Sequence, residues 1–201
     1  SPAGLWAETS GPTAYREAPL LREQVRLGKL PPVTERLPEN PKVEHPVDSM
    51  GNYGGTLRRA LRSEVEDFIG IDKALGESLT NFHRPRPDGI DLNLAESADF
   101  SADGRTLVVK LRRGLRWSDG ALFTVDDILF WYEDMLLDAD ARPQGFFLGK
   151  WRIGSEPVRF EQIDSVTLRI TSAEPMGRIL EAFASNDFCA FPKHYYKQFH
   201  P

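Results

Sequence analysis

Hydrophobic and polar positions fall into their clearest pattern over residues 106–137, TLVVKLRRGLRWSDGALFTVDDILFWYEDMLL. Leu107, Val109 and Leu111 alternate with Thr106, Val108, Lys110 and Arg112, which predicts a strand with one apolar face. Ser118-Asp119-Gly120 predicts a turn, because Gly tolerates positive φ while Asp and Ser bond the nearby backbone. Thr124 then stands as a helix N-cap, with Asp127 as its capping-box partner. Asp126 and Asp127 also place negative charge at the positive end of the helix dipole. Val125, Ile128, Leu129, Tyr132, Met135 and Leu136 recur at helical spacing, and Phe130 with Leu137 forms a narrower ridge opposite. A surface helix needs one apolar stripe. Two stripes predict cover on both sides, either inside one domain or with one ridge against another domain.

Before this run, eight of the 15 prolines fall in residues 1–50. That density predicts a largely extended arm over 1–50 that wraps a body spanning 51–201. One short helix is expected over 19–27, with Pro19 in its first turn and Gly28 ending it. Gly54-Gly55 leads into an expected strand over 56–61 and a loop over 62–71, and 74–79 is expected to be helical. Pro85, Pro87 and Asp88-Gly89 mark a hard turn, and Asp103-Gly104 marks a hairpin turn. After residue 137, residues 138–157 read as polar and irregular. Val166, Leu168 and Ile170 predict one strand over 162–171, and Ile179, Leu180 and Phe183 share a face of a helix opened by Pro175.

Composition narrows the function. Hydrophobic residues are 40% and charged residues 27%, with a net charge of −5 and interspersed signs. A nucleic-acid partner would need a basic patch to neutralise phosphates, so none is expected, and Arg112, Arg113 and Arg116 read as a solvated strand end. No apolar run reaches the ~20 residues of a membrane span, and Ser1 begins no charged-then-apolar leader. Cys189 is the single cysteine, within an apolar run, so no internal disulfide can form.

Catalytic patterns are missing: there is no GxSxG, P-loop, HExxH or CxxC spacing. His194 and His200 have no Cys or acid at ligand spacing, so no metal and no cofactor is expected. Asp126/Asp127 reads as capping and Glu133/Asp134 as a solvated helix face. Trp117, Trp131 and Tyr132 read as packing residues. Binding fits better than catalysis, and no catalytic residue is assigned.

The segment 111–120, LRRGLRWSDG, followed by Phe123-Thr124-Val125-Asp126-Asp127-Ile128, resembles the signature of family 5 extracellular solute-binding proteins. The resemblance extends from Gly54 through Leu94-Ala95-Glu96-Ser97 and Glu174-Pro175 to Pro192-Lys193-His194-Tyr195. These receptors serve ABC importers of peptides, nickel and oligosaccharides. The resemblance implies a mixed α/β (α+β) fold, periplasmic-binding-protein-like, with part of the first lobe plus the accessory domain. Family members are well over twice this length, so the resemblance implies the N-terminal part of a receptor, with the second lobe missing. It also implies an exported, periplasmic protein that binds a small solute, peptide first and oligosaccharide as the alternative, and that docks on an ABC permease. In relatives the loop after the first strand contributes to the ligand cleft. The corresponding candidates here are Glu64, Asp67, Phe68 and Ile69. The rival readings are an interaction domain reusing the fold, and an enzyme.

Overall fold

The computed structural model describes residues 15–44, 46, 48–56, 58, 76–82, 89–142, 148–185 and 190–200. The expected strand over 56–61, the loop over 62–71, the turn at Pro85 and Pro87, and Cys189 lie outside or almost wholly outside these residues. The architecture is mixed α and β. Its centre is a four-stranded antiparallel sheet in the order β3-β4-β8-β7, formed by β3 (Ala95–Phe100), β4 (Thr106–Leu111), β7 (Arg159–Asp164) and β8 (Thr167–Thr171). Two small hairpins flank it: β1 (Thr80–Phe82) with β2 (Ile90–Leu92), and β5 (Arg152–Ile153) with β6 (Glu156–Pro157).

The predicted strand of residues 106–111 is β4, and its alternation is observed: Leu107, Val109 and Leu111 are buried and their neighbours half-exposed. The same face continues with Leu168 and Ile170 of β8 and Phe160 of β7. The Asp103-Gly104 hairpin joins β3 to β4. There Asp103 accepts hydrogen bonds from the Ser101 hydroxyl and the Arg105 amide, and Gly104 adopts φ +68°.

Three expectations need correction. Residues 162–171 are not one strand but the end of β7, a turn and β8. Asp164 closes that turn by accepting the Val166 amide at 2.8 Å and the Thr167 hydroxyl at 2.9 Å. Residues 76–79 are not helical. The Leu79 carbonyl accepts the Asn93 and Ala95 amides, so this backbone leads into a strand pairing instead. Within 138–157, Trp151 ends a short 3-10 turn (Leu148–Trp151) and is fully buried.

The short arm helix is observed as α1 (Arg22–Arg26), followed by Gly28 at φ +68°, and α2 is Val33–Arg36. The helix after the Ser-Asp-Gly turn starts as predicted, as α3 (Val125–Leu129), with the Thr124/Asp127 capping box in place. It then widens into a π-helix over Phe130–Leu137. The wider turn buries Phe130, Trp131 and Tyr132 in succession, which a single stripe of an α-helix cannot do. Phe130 is covered by this chain itself: the His200 ring packs edge-on at 5.8 Å. Leu137, the other member of that ridge, is 38% exposed. Beyond it lie α4 (Ile179–Ala184) and α5 (Lys193–Tyr196).

The core is an aromatic hub between the sheet and these helices. Tyr132 stacks on Phe160 with centroids 4.0 Å apart, and Trp151 meets Trp131 and Phe183 edge-on at 5.1 and 4.9 Å. The Tyr132 hydroxyl donates to the Val158 carbonyl, and burial pushes its ionisation far above the ordinary range. Trp131 and Tyr132 are therefore core residues, as their positions predicted.

Candidate functional site

The signature turn and the N-terminus of α3 form a surface fixed by hydrogen bonds. Gly120, at φ +92°, lets the chain reverse so that the Trp117 amide donates to the Ala121 carbonyl and the Gly120 amide to the Trp117 carbonyl. Arg116 adds a hydrogen bond to the Gly120 carbonyl at 2.8 Å. The Trp117 ring meets Phe123 edge-on at 5.3 Å and packs against the core, which is the packing role its place in the turn predicted. Its indole N–H is buried with no acceptor among the described residues. Removing that donor while keeping most of the ring should therefore be tolerated. Trp117→Phe is expected to change stability by less than about 1.5 kcal/mol in a denaturant titration.

Asp127 does more than cap. It is 4% exposed; one carboxylate oxygen accepts the Thr124 amide at 2.9 Å and the other accepts the Lys193 amide at 2.9 Å. Lys193 also pairs with Asp126 at 3.6 Å, and His194 Nε2 meets Asp119 at 2.6 Å. The His200 ring donates to the Asp134 carbonyl at 2.7 Å. The 193–200 segment is thus tied along the outside of α3 and the π-helix. Between them lies an open groove of about 330 Å³, lined by Leu122, Thr124, Asp126, Lys193, His194 and Lys197.

The His194 contact, and after it the Ala121 amide, holds the Asp119 carboxyl below the usual carboxylate range. A carboxyl whose folded value is depressed stabilises the protein above its unfolded value, and that contribution is lost as pH falls through the folded value. Asp119→Asn is expected to lower the melting temperature slightly at neutral pH. The difference should close as pH falls below the usual carboxylate range, as thermal melts of both proteins across pH would show.

The groove offers charged and apolar groups for recognition. It does not pair a nucleophile with a base, and among the described residues no group of three or more His, Cys, Asp or Glu could hold a metal. The four cleft candidates read from the sequence, Glu64, Asp67, Phe68 and Ile69, lie outside the described residues. Arg112 needs correction: it is not a solvated strand end but 2% exposed, donating to the carbonyls of Asn93 at 2.7 Å and Asn40 at 2.8 Å. Arg113 and Arg116 are exposed. The ties from Asp127 to Lys193 and from Asp119 to His194 join residues 66 and 75 apart, and no local pattern marks them.

Comparison with known proteins decides the family. Residues 89–200 match the model for bacterial extracellular solute-binding proteins, family 5 Middle, which covers the central sheet, the signature turn and the 193–200 segment. The chain belongs to this family. A relative from Rhizobium meliloti (strain 1021), a periplasmic alpha-galactoside-binding protein, is 36% identical over 93% of this family 5 chain and 30% of its own length. Among solved structures, the periplasmic binding protein MelB from Agrobacterium fabrum C58, in complex with stachyose, superposes with a TM-score of 0.81. It is 34% identical over 96% of this chain and 32% of its own. An oligopeptide-binding protein OppA superposes with a TM-score of 0.79 at 36% identity, covering 94% of this chain and 29% of its own. The fold is therefore that of periplasmic binding proteins, and the family 5 chain spans about a third of the length of these relatives.

Proposed function

We propose that the encoded protein is the substrate-binding component of a bacterial ABC importer, capturing a solute outside the cytoplasmic membrane and delivering it to a membrane permease. The observation that carries this reading is the agreement of fold and sequence with two solute-binding structures over 94% and 96% of the chain. In this reading residues 1–50 are an arm, and 51–201 supply a segment of the first lobe together with the accessory domain. The loop over 62–71 would bring Glu64, Asp67, Phe68 and Ile69 to the solute.

For the cargo, two relatives favour an oligosaccharide: one is named for alpha-galactosides, and the other was solved with stachyose. Stachyose is itself an α-galactoside, so the two names agree in chemistry. An oligopeptide is the second reading, favoured by the 36% identity to the oligopeptide-binding protein. Such sites need aromatic faces and a few oriented polar groups rather than an activated nucleophile.

A thermal-shift screen of the full encoded protein against stachyose, shorter α-galactosides and a peptide library tests both. Cargo at roughly 100 times its dissociation constant stabilises the folded form by about 2.7 kcal/mol. A shift with α-galactosides that is lost in Phe68→Ala is the expected result. A shift with peptides alone would move the cargo to the second reading, and none with either class would overturn the receptor.

A further inference from the structure

The described arm, residues 15–44, contains no buried residue. It nevertheless keeps a shape of its own, because Arg36 bonds the Pro31 carbonyl at 3.0 Å and pairs with Glu17. Among the described residues, its hydrogen bonds to the body converge on two neighbouring residues. The Glu39 amide donates to the Arg113 carbonyl at 2.8 Å, Arg112 donates to the Asn40 carbonyl at 2.8 Å, and the Asn40 side-chain amide donates to Glu96 at 3.1 Å. Pro38 lies on Gly114, where an added Cβ would stand 3.6 Å from its Cα. A cleft of about 350 Å³ remains between arm and body, lined in part by Tyr15, Glu35, Glu39 and Arg116.

We propose that residues 15–44 form a detachable strap, latched to the sheet by Arg112, Asn40 and Glu96, which opens as a unit while the sheet beneath it stays folded. Two features of the contacts support this. The arm itself contributes no buried residue, so its opening costs only a fraction of the free energy of global unfolding. The latch is also cooperative. Asn40 is acceptor and donor at once, its carbonyl bonded to buried Arg112 and its side-chain amide to Glu96, so losing one of these bonds loosens the other. Closed and fully open are therefore the favoured states. On the body the seat is preorganised: Lys110 holds Glu96 at 3.1 Å and the Asn93 carbonyl holds Arg112 at 2.7 Å. The open state uncovers Gly114 and the outer edge of Arg112, and it dissolves the cleft.

Hydrogen–deuterium exchange of the full encoded protein tests this at one fixed pH, with Asn40→Ala and Glu96→Ala beside the wild type. Both variants remove one side of the same hydrogen bond and leave the core unchanged. Amides over residues 22–42 are expected to exchange about tenfold faster in each variant, while those of 107–111 and 167–171 keep their wild-type rates. Equal arm exchange in all three proteins would overturn the latch. Arm and sheet amides accelerating together would overturn the strap as a separate unit.

Discussion

Trp151→Ala is expected to cost about 3–5 kcal/mol, the largest effect of any single substitution considered. Trp151 is fully buried, and its ring meets Trp131, Tyr132, Phe160 and Phe183 within 4.9–6.3 Å. Those four rings come from the π-helix, β7 and α4, so the indole touches each of these elements around the hub. Its removal leaves a cavity that stacked rings cannot collapse to fill, and the loss of dispersion contacts adds to the transfer term. The melting temperature should fall by roughly 10 °C. Phe82→Ala, at a side chain 46% exposed, should change little. A loss below about 1 kcal/mol at Trp151 would mean that the hub is not what holds the layers together.

The second large effect is expected at Asp127. Asp127→Ala removes the acceptor for both the Thr124 and the Lys193 amides at a site 4% exposed. A lost cap costs about 0.5–2 kcal/mol, and an orphaned buried donor about 1–3 kcal/mol. Together a loss of about 2–4 kcal/mol is expected, along with faster amide exchange over 193–200. The neighbouring Asp126→Ala, whose side chain is 54% exposed and pairs with Lys193 at 3.6 Å, should cost under about 1 kcal/mol. If the two substitutions had equal effects, Asp127 would be acting as a surface charge and not as a buried tie.

Much of the fold was legible where neighbouring residues determine the structure. The β4 alternation, the Gly120 turn and the Thr124/Asp127 capping box each rest on contacts within a few residues, and each is observed. The losses share a cause. The β7–β8 turn contains neither Gly nor Pro, because the Asp164 side chain closes it, so its residues read as an unbroken strand. The π-helix follows from the packing of three successive aromatic residues into a hub assembled by distant elements, and helical spacing alone marks only an α-helix. Arg112 reads as a solvated cation because its carbonyl acceptors lie 19 and 72 residues away. For the site, the sequence carried the family through the signature turn. The ties that fix the 193–200 segment join residues too far apart for any local pattern to reveal.

The central claim is that the encoded protein captures a solute, and calorimetric titration tests it most directly. The full protein would be titrated with the proposed oligosaccharide cargo, and with peptides in parallel. A saturable one-site isotherm with a dissociation constant in the micromolar range or tighter is the predicted result. No saturable heat with any oligosaccharide or peptide would contradict the claim.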